Sequence, residues 1–130
     1  MGKYSSGSAA QFECPVEGFQ TLSSGKYRLR ILWELKRRPL RYGELKTALA
    51  ASMGNKSIAA RVLSRDLKEL VQRSMIDRKD YGTVPPHVEY SLTEVGKTFI
   101  PVLRTIHRWG VEHLVKQSVL DALARKKASK

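Results

Sequence analysis

Arg61, Arg65 and Lys68 are separated by four and then three residues, which puts all three on one face of a helix. From such a face a guanidinium group can pair bidentately with a guanine edge, and an ammonium group can hold a phosphate. Ser57 and Ser64 offer hydroxyls to phosphate. Ser57 can equally cap the helix, bringing its free amides toward a nucleic-acid backbone. Asp66 opposes an anionic partner, so it faces away from the stripe or pairs with a neighbouring arginine. The plain alternative for such a stripe is a solvated charged face. Residues 26–46 add eight Lys or Arg against two Glu, a local net of +6. Within that segment Arg41 and Lys46 lie closest to the stripe and are the candidates for sequence-independent phosphate contacts. Beyond the stripe, Arg78, Lys79 and His87 are candidates for the minor groove or the phosphates beside it.

Other chemistries find little support. His107 and His113 are six residues apart and fall on different faces of a helix, and no nearby cysteine or carboxylate completes a metal set. There is no Gly-rich phosphate loop. Cys14 is the single cysteine, which excludes an internal disulfide and a zinc site built on paired cysteines, though it can bridge two chains. No His and Asx partners for a nucleophilic Cys14 can be discerned. The expectation is therefore a protein that is not an enzyme and uses no cofactor and no metal.

The elements that must position these side chains fit into one domain of 130 residues, of which 42% are hydrophobic. No run approaches the roughly 20 apolar residues needed to span a bilayer, and the first ten residues lack a signal-peptide core, so a cytoplasmic protein with no membrane partner is expected. Lys and Arg number 24 against 12 Asp and Glu, a net charge of +12 that favours a polyanion through counterion release. Double-stranded DNA is the first candidate. An anionic membrane surface would need an insertable basic helix, and the amphipathic stretches here read as core-facing.

Residues 1–12 read as a flexible arm, residues 13–122 as the folded body and residues 123–130 as a basic, fraying tail. Pro15 suits the first position of a short helix reaching about Ser23. A second helix spans about Lys26 to Arg37 and ends before Pro39. Leu40 to Tyr42 is short and extended, and Gly43 is read as the N-cap of a third helix that buries Leu45, Ala48 and Leu49. A turn over 51–56 leads to a fourth helix, capped at Ser57 and reaching about Arg73. Ile58, Val62, Leu63, Leu67, Leu70 and Val71 form its apolar face opposite the cationic stripe. Alternation over Met75 to Asp80 and His87 to Leu92, around Tyr81-Gly-Thr-Val-Pro-Pro86, predicts a β-hairpin. Thr93 caps a final long helix, with Pro101 as a place for a kink. Its apolar residues, Trp109, Val111, Leu114, Val115 and Leu120 among them, exceed what a small core needs. With Val16 and Phe19 of the first helix they predict a two-fold homodimer interface.

A short helix, a turn and a longer helix with a cationic outer face make a helix-turn-helix, and the hairpin after it makes it winged. Four segments make the likeness more specific: Cys14-Pro-Val-Glu17; Gly25-Lys-Tyr-Arg28 through Leu35; Leu40-Arg-Tyr-Gly-Glu-Leu-Lys46 with Leu63-Ser-Arg-Asp-Leu-Lys-Glu-Leu70; and Val84-Pro-Pro-His-Val-Glu-Tyr-Ser-Leu-Thr-Glu-Val-Gly96. Together they resemble the HxlR-type, MarR-like winged-helix transcriptional regulators. Tyr27 stands where that family carries Trp, His87 where it carries Arg or Lys, and Arg65-Asp66 where a Gln pair is common. The resemblance implies an α+β, mainly helical fold with a β-hairpin wing and N- and C-terminal dimerisation helices. It also implies a homodimer that binds operator DNA through the helix at about 57–73, with the wing at about 75–92 on its flank. Relatives in the family sometimes use a cysteine matching Cys14 as a redox sensor. It names no small-molecule effector. A protein-interaction module borrowing the same fold is the alternative from another class.

Overall fold

The structure, a computed structural model, describes residues 14–128. The expected N-terminal arm therefore lies outside the described residues. The chain divides between Lys97 and Thr98 into two compact units. The first holds α1 (Pro15–Leu22), α2 (Arg28–Glu34), β1 (Leu40–Arg41), α3 (Tyr42–Ser52), α4 (Ala60–Gln72), β2 (Ile76–Asp80) and β3 (Val88–Leu92). α5 (Glu94–Gly110) crosses the division and is followed by a π-helical turn (Val111–Val115) and α6 (Lys116–Ala128).

The first unit is built on spacing. Leu45 and Leu49 in α3, and Leu63, Leu67 and Leu70 in α4, recur at three and four residues and are all buried, as are Ile31 and Leu32 of α2 and Leu35 just after it. The three strands form one antiparallel sheet in the order β1, β3, β2. Leu40 lies opposite Tyr90 and Arg41 opposite Glu89, while β2 runs from Ile76 opposite Leu92 to Asp80 opposite Val88. The hairpin is the expected wing, and the short extended segment after Pro39 is its third strand.

The start of α5 is pinned to the end of α4. Thr93 Oγ1 accepts the Gly96 N–H at 2.9 Å, capping the helix, and donates toward the carbonyls of Ser74 and Met75. A Cβ at Gly96 would collide with the Met75 carbonyl, so this crossing requires glycine.

Two helix starts differ from expectation. Ser57 does not cap α4: the helix begins at Ala60, with Ala59 in the cap position, and Ser57 lies exposed in the irregular segment before it. Burial of Ile58 holds the chain off helical geometry there, and the Ala59 N–H donates to Tyr27 Oη at 3.1 Å instead of to a serine. Gly43 is likewise inside α3, whose N-cap is Arg41. Pairing of Arg41 with β3 fixes the last extended residue, and Glu44 accepts the Arg41 N–H at 2.9 Å. α2 is shorter at both ends than its apolar pattern predicted.

In the second unit the expected single helix is interrupted by the π turn. The expected tail at 123–130 is helical through Ala128, and residues 129–130 lie outside the described ones. This unit exposes Val102, Ile106, Trp109, Val111, Leu114, Val115, Leu120 and Leu123.

Candidate nucleic-acid interface

α4 separates two chemistries by angle alone. At about 100° per residue, Leu63, Asp66, Leu67 and Leu70 point inward and are buried. Arg61, Ser64, Arg65 and Lys68 occupy the opposite arc, and all four are exposed. Within that arc Ser64 and Lys68 share a flank with Leu67 and Val71, while Arg61 and Arg65 lie on the other side. None of Arg61, Arg65 and Lys68 has a carboxylate partner among the described residues. Three cations are thus held on a rigid element with their charge uncompensated.

The rigidity of α4 comes from a buried polar anchor. Asp66, 0% exposed, stands at an apolar position of the stripe. Its Oδ1 accepts from Arg28 Nε at 3.2 Å and its Oδ2 from the Tyr27 N–H at 2.9 Å, so both carboxylate oxygens are satisfied. The same guanidinium donates through Nη1 to the carbonyls of Thr21 and Leu22 at the end of α1. Gly25 completes the anchor: a Cβ there would overlap the Asp66 carboxylate and the Arg28 guanidinium. Tyr27 and Arg28 were missed as contributors by sequence reasoning. The available signal was an Asp three residues after Leu63 and four before Leu70.

The wing has two faces with different sets of side chains. Residues opposite one another in an antiparallel pair share a face, so Arg78 lies with Ile76 and Tyr90, and Lys79 with Tyr81, His87 and Glu89. On the second face the Tyr81 and His87 rings stack at 4.1 Å, and Lys79 Nζ lies 4.6 Å from the Tyr81 ring centroid. Glu89 accepts from Tyr81 Oη at 3.3 Å and meets His87 Nε2 at 3.4 Å. Two of the three wing candidates, Lys79 and His87, are thus engaged in a local cluster. Among the described residues Arg78 pairs only with Asp80, at 4.0 Å. Arg41 reaches this second face too, since it pairs with Glu89 from β1. Lys46 is half-buried on α3.

Between α4 and the first wing face runs an open groove of about 250 Å³, lined by Ser64, Leu67, Lys68, Val71, Arg78 and Tyr90. Ser57, Arg61 and Arg65 do not line it. The remaining candidates lie elsewhere. Cys14 is exposed just ahead of α1, whose Val16 is 72% exposed and whose Phe19 is half-buried. Trp109 is 55% exposed, and its ring approaches that of His113. Among the described residues no helix is long and apolar enough to cross a membrane.

The comparisons with known proteins agree with the winged-helix fold. Residues 22–118 match the model of the HxlR-like helix-turn-helix. The uncharacterized HTH-type transcriptional regulator YdeP of Bacillus subtilis is 36% identical over 124 residues, covering 95% of this chain and 91% of its own. A MarR-family transcriptional regulator from Porphyromonas gingivalis W83 is 38% identical with a TM-score of 0.70, over 82% of this chain and 98% of that one. The redox regulator HypR in its oxidized form is 32% identical with a TM-score of 0.66, over 77% of this chain and 97% of that one.

Proposed function

Because this chain belongs to the HxlR-like helix-turn-helix family of transcriptional regulators, we propose that it binds operator DNA as a homodimer, with α4 in the major groove and the β2–β3 wing on its flank. Its family and relatives regulate transcription and are not enzymes. The observation that carries the proposal is the outer face of α4: Arg61, Ser64, Arg65 and Lys68 exposed, no carboxylate paired with its cations among the described residues, and the inner face locked by Leu63, Asp66, Leu67 and Leu70. Arg65 is the residue assigned to a base edge, where a guanidinium pairs bidentately with guanine. Ser57, Arg61, Ser64, Lys68, Arg41, Lys46, Arg78, Lys79 and His87 are assigned to phosphates and the wing's groove.

Val16 and Phe19 of α1 and Trp109, Val111, Leu114 and Val115 supply the apolar surface for a two-fold interface. That symmetry would place two copies of α4 in successive major grooves, roughly 34 Å apart. The working compartment is then the cytoplasm. The salt dependence of duplex binding tests the proposal. A steep fall in affinity with rising salt follows from phosphate neutralisation, whereas a protein-interaction module on the same fold has no such slope.

A second reading adds redox control at Cys14. An exposed, free thiol ahead of a helix with no buried residues supports it, and so does the similarity to HypR, a redox regulator solved in oxidized and reduced forms.

A further inference from the structure

We propose that Ser64, Lys68 and Arg78 form a single phosphate site that joins α4 to the wing, so that one DNA phosphodiester is held by both elements at once. The proposal rests on the DNA-binding reading and gives it a specific geometry. Ser64 and Lys68 are one helical turn apart and lie on the flank of α4 that borders the groove, away from Arg65. Arg78 enters from the facing strand. Its register opposite Tyr90 puts it on the same face as buried Ile76, while its neighbour Lys79 points the other way. These three side chains and the apolar residues Leu67, Val71 and Tyr90 line one groove of about 250 Å³.

The charge pattern selects the ligand. Lys68 has no ion pair among the described residues, and Arg78 has only the long, half-exposed contact with Asp80, which is too weak and screened to neutralise it. Two cations facing one groove without a carboxylate on its walls repel each other unless an anion sits between them. A phosphodiester suits this arrangement. The guanidinium fork of Arg78 can take one or two of its oxygens, the ammonium of Lys68 supplies a point charge, and the Ser64 hydroxyl donates a further hydrogen bond. The apolar floor lies where the deoxyribose carbons would rest. A contact shared between helix and wing sets the depth of α4 in the groove without reading sequence, which leaves discrimination to Arg65.

The test uses the full-length protein and a duplex obtained by selection, with a neutral methylphosphonate placed at each backbone position in turn, in both half-sites at once. Binding is measured for wild type, Lys68→Ala, Arg78→Ala and the double variant. Arg78→Gln replaces the alanine variant if thermal melting shows altered folding. The shared site predicts one position per half-site whose neutralisation in both half-sites weakens wild type at least about tenfold, with Lys68→Ala and Arg78→Ala losing nothing further on that duplex. Because the dimer carries two such sites, the double variant should lower the slope of log affinity against log salt by about 2, not 4, with one phosphate lost per half-site. If the two variants map to different phosphates, or their effects multiply on the neutralised duplex, the shared site is wrong while DNA binding stands. If wild type shows neither selection nor salt dependence, both are wrong.

Discussion

Arg28 and Asp66 meet in the interior at 3.2 Å, joining the first turn of α2 to the middle of α4 across 38 residues of sequence. Arg28 is 8% exposed and Asp66 fully buried. The pair sets the rotation of α4, since Asp66 must face Arg28 for the outer arc to face solvent. Through the carbonyls of Thr21 and Leu22, the same guanidinium also holds the end of α1.

Removing one partner leaves the other buried and unpaired. Asp66→Ala should therefore destabilise the protein by about 3–5 kcal/mol in urea unfolding, with a smaller loss for Asp66→Asn, which keeps an acceptor for Tyr27 or Arg28. An alanine variant as stable as wild type would contradict the anchoring role.

Glycine substitutions separate two positions that look alike in sequence. Gly25→Ala forces a methyl group into the Arg28–Asp66 pair and should cost about 1–3 kcal/mol. Gly43→Ala meets nothing within 4 Å and lies inside α3, so alanine's better helix propensity should stabilise by about 0.5–1 kcal/mol. Thermal melts of the two variants should shift in opposite directions.

The Glu44 carboxyl is held below the ordinary carboxylate range, chiefly by the hydrogen bond from the Arg41 N–H and then by the charge of Arg38. A lowered pKa means that the charged form favours the folded state. The contribution is present at neutral pH and is lost as pH falls through the folded-state value. An NMR titration should place its midpoint below that of an unstructured Glu. Glu44→Gln should remove that part of the acid sensitivity. An unshifted midpoint would show that the α3 cap is not formed.

If Cys14 senses oxidants, diamide treatment should change operator affinity in wild type and leave Cys14→Ser unchanged. Equal responses in the two proteins would place any redox effect elsewhere.

Much of this architecture is legible in residue order because its signals are local. The arc of Arg61, Ser64, Arg65 and Lys68 follows from helical periodicity, the hairpin from alternation around Pro85 and Pro86, and the α5 cap from Thr93. The parts that escape are those where a residue's role depends on a distant partner. Ser57 and Gly43 are good caps by type, yet Ile58 burial and the pairing of Arg41 with Glu89 move both helix starts. Lys79 and His87 read as candidates for DNA contact, and only the register with Glu89 and Tyr81 shows that they are engaged locally. Arg28 looks like one of many surface basic residues until Asp66 lies beside it.

The central claim is that the outer face of α4 reads DNA sequence. Its most direct test is selection of bound duplexes from a random library by wild type and by Arg65→Ala, followed by affinity measurements at two salt concentrations. The account predicts a palindromic site with half-sites about one helical turn apart, bound less tightly at higher salt. It also predicts that Arg65→Ala loses about 1–3 kcal/mol per half-site and tolerates changes at one base pair in each. Failure of wild type to enrich any sequence, or identical sequence preference in the two proteins, would contradict it.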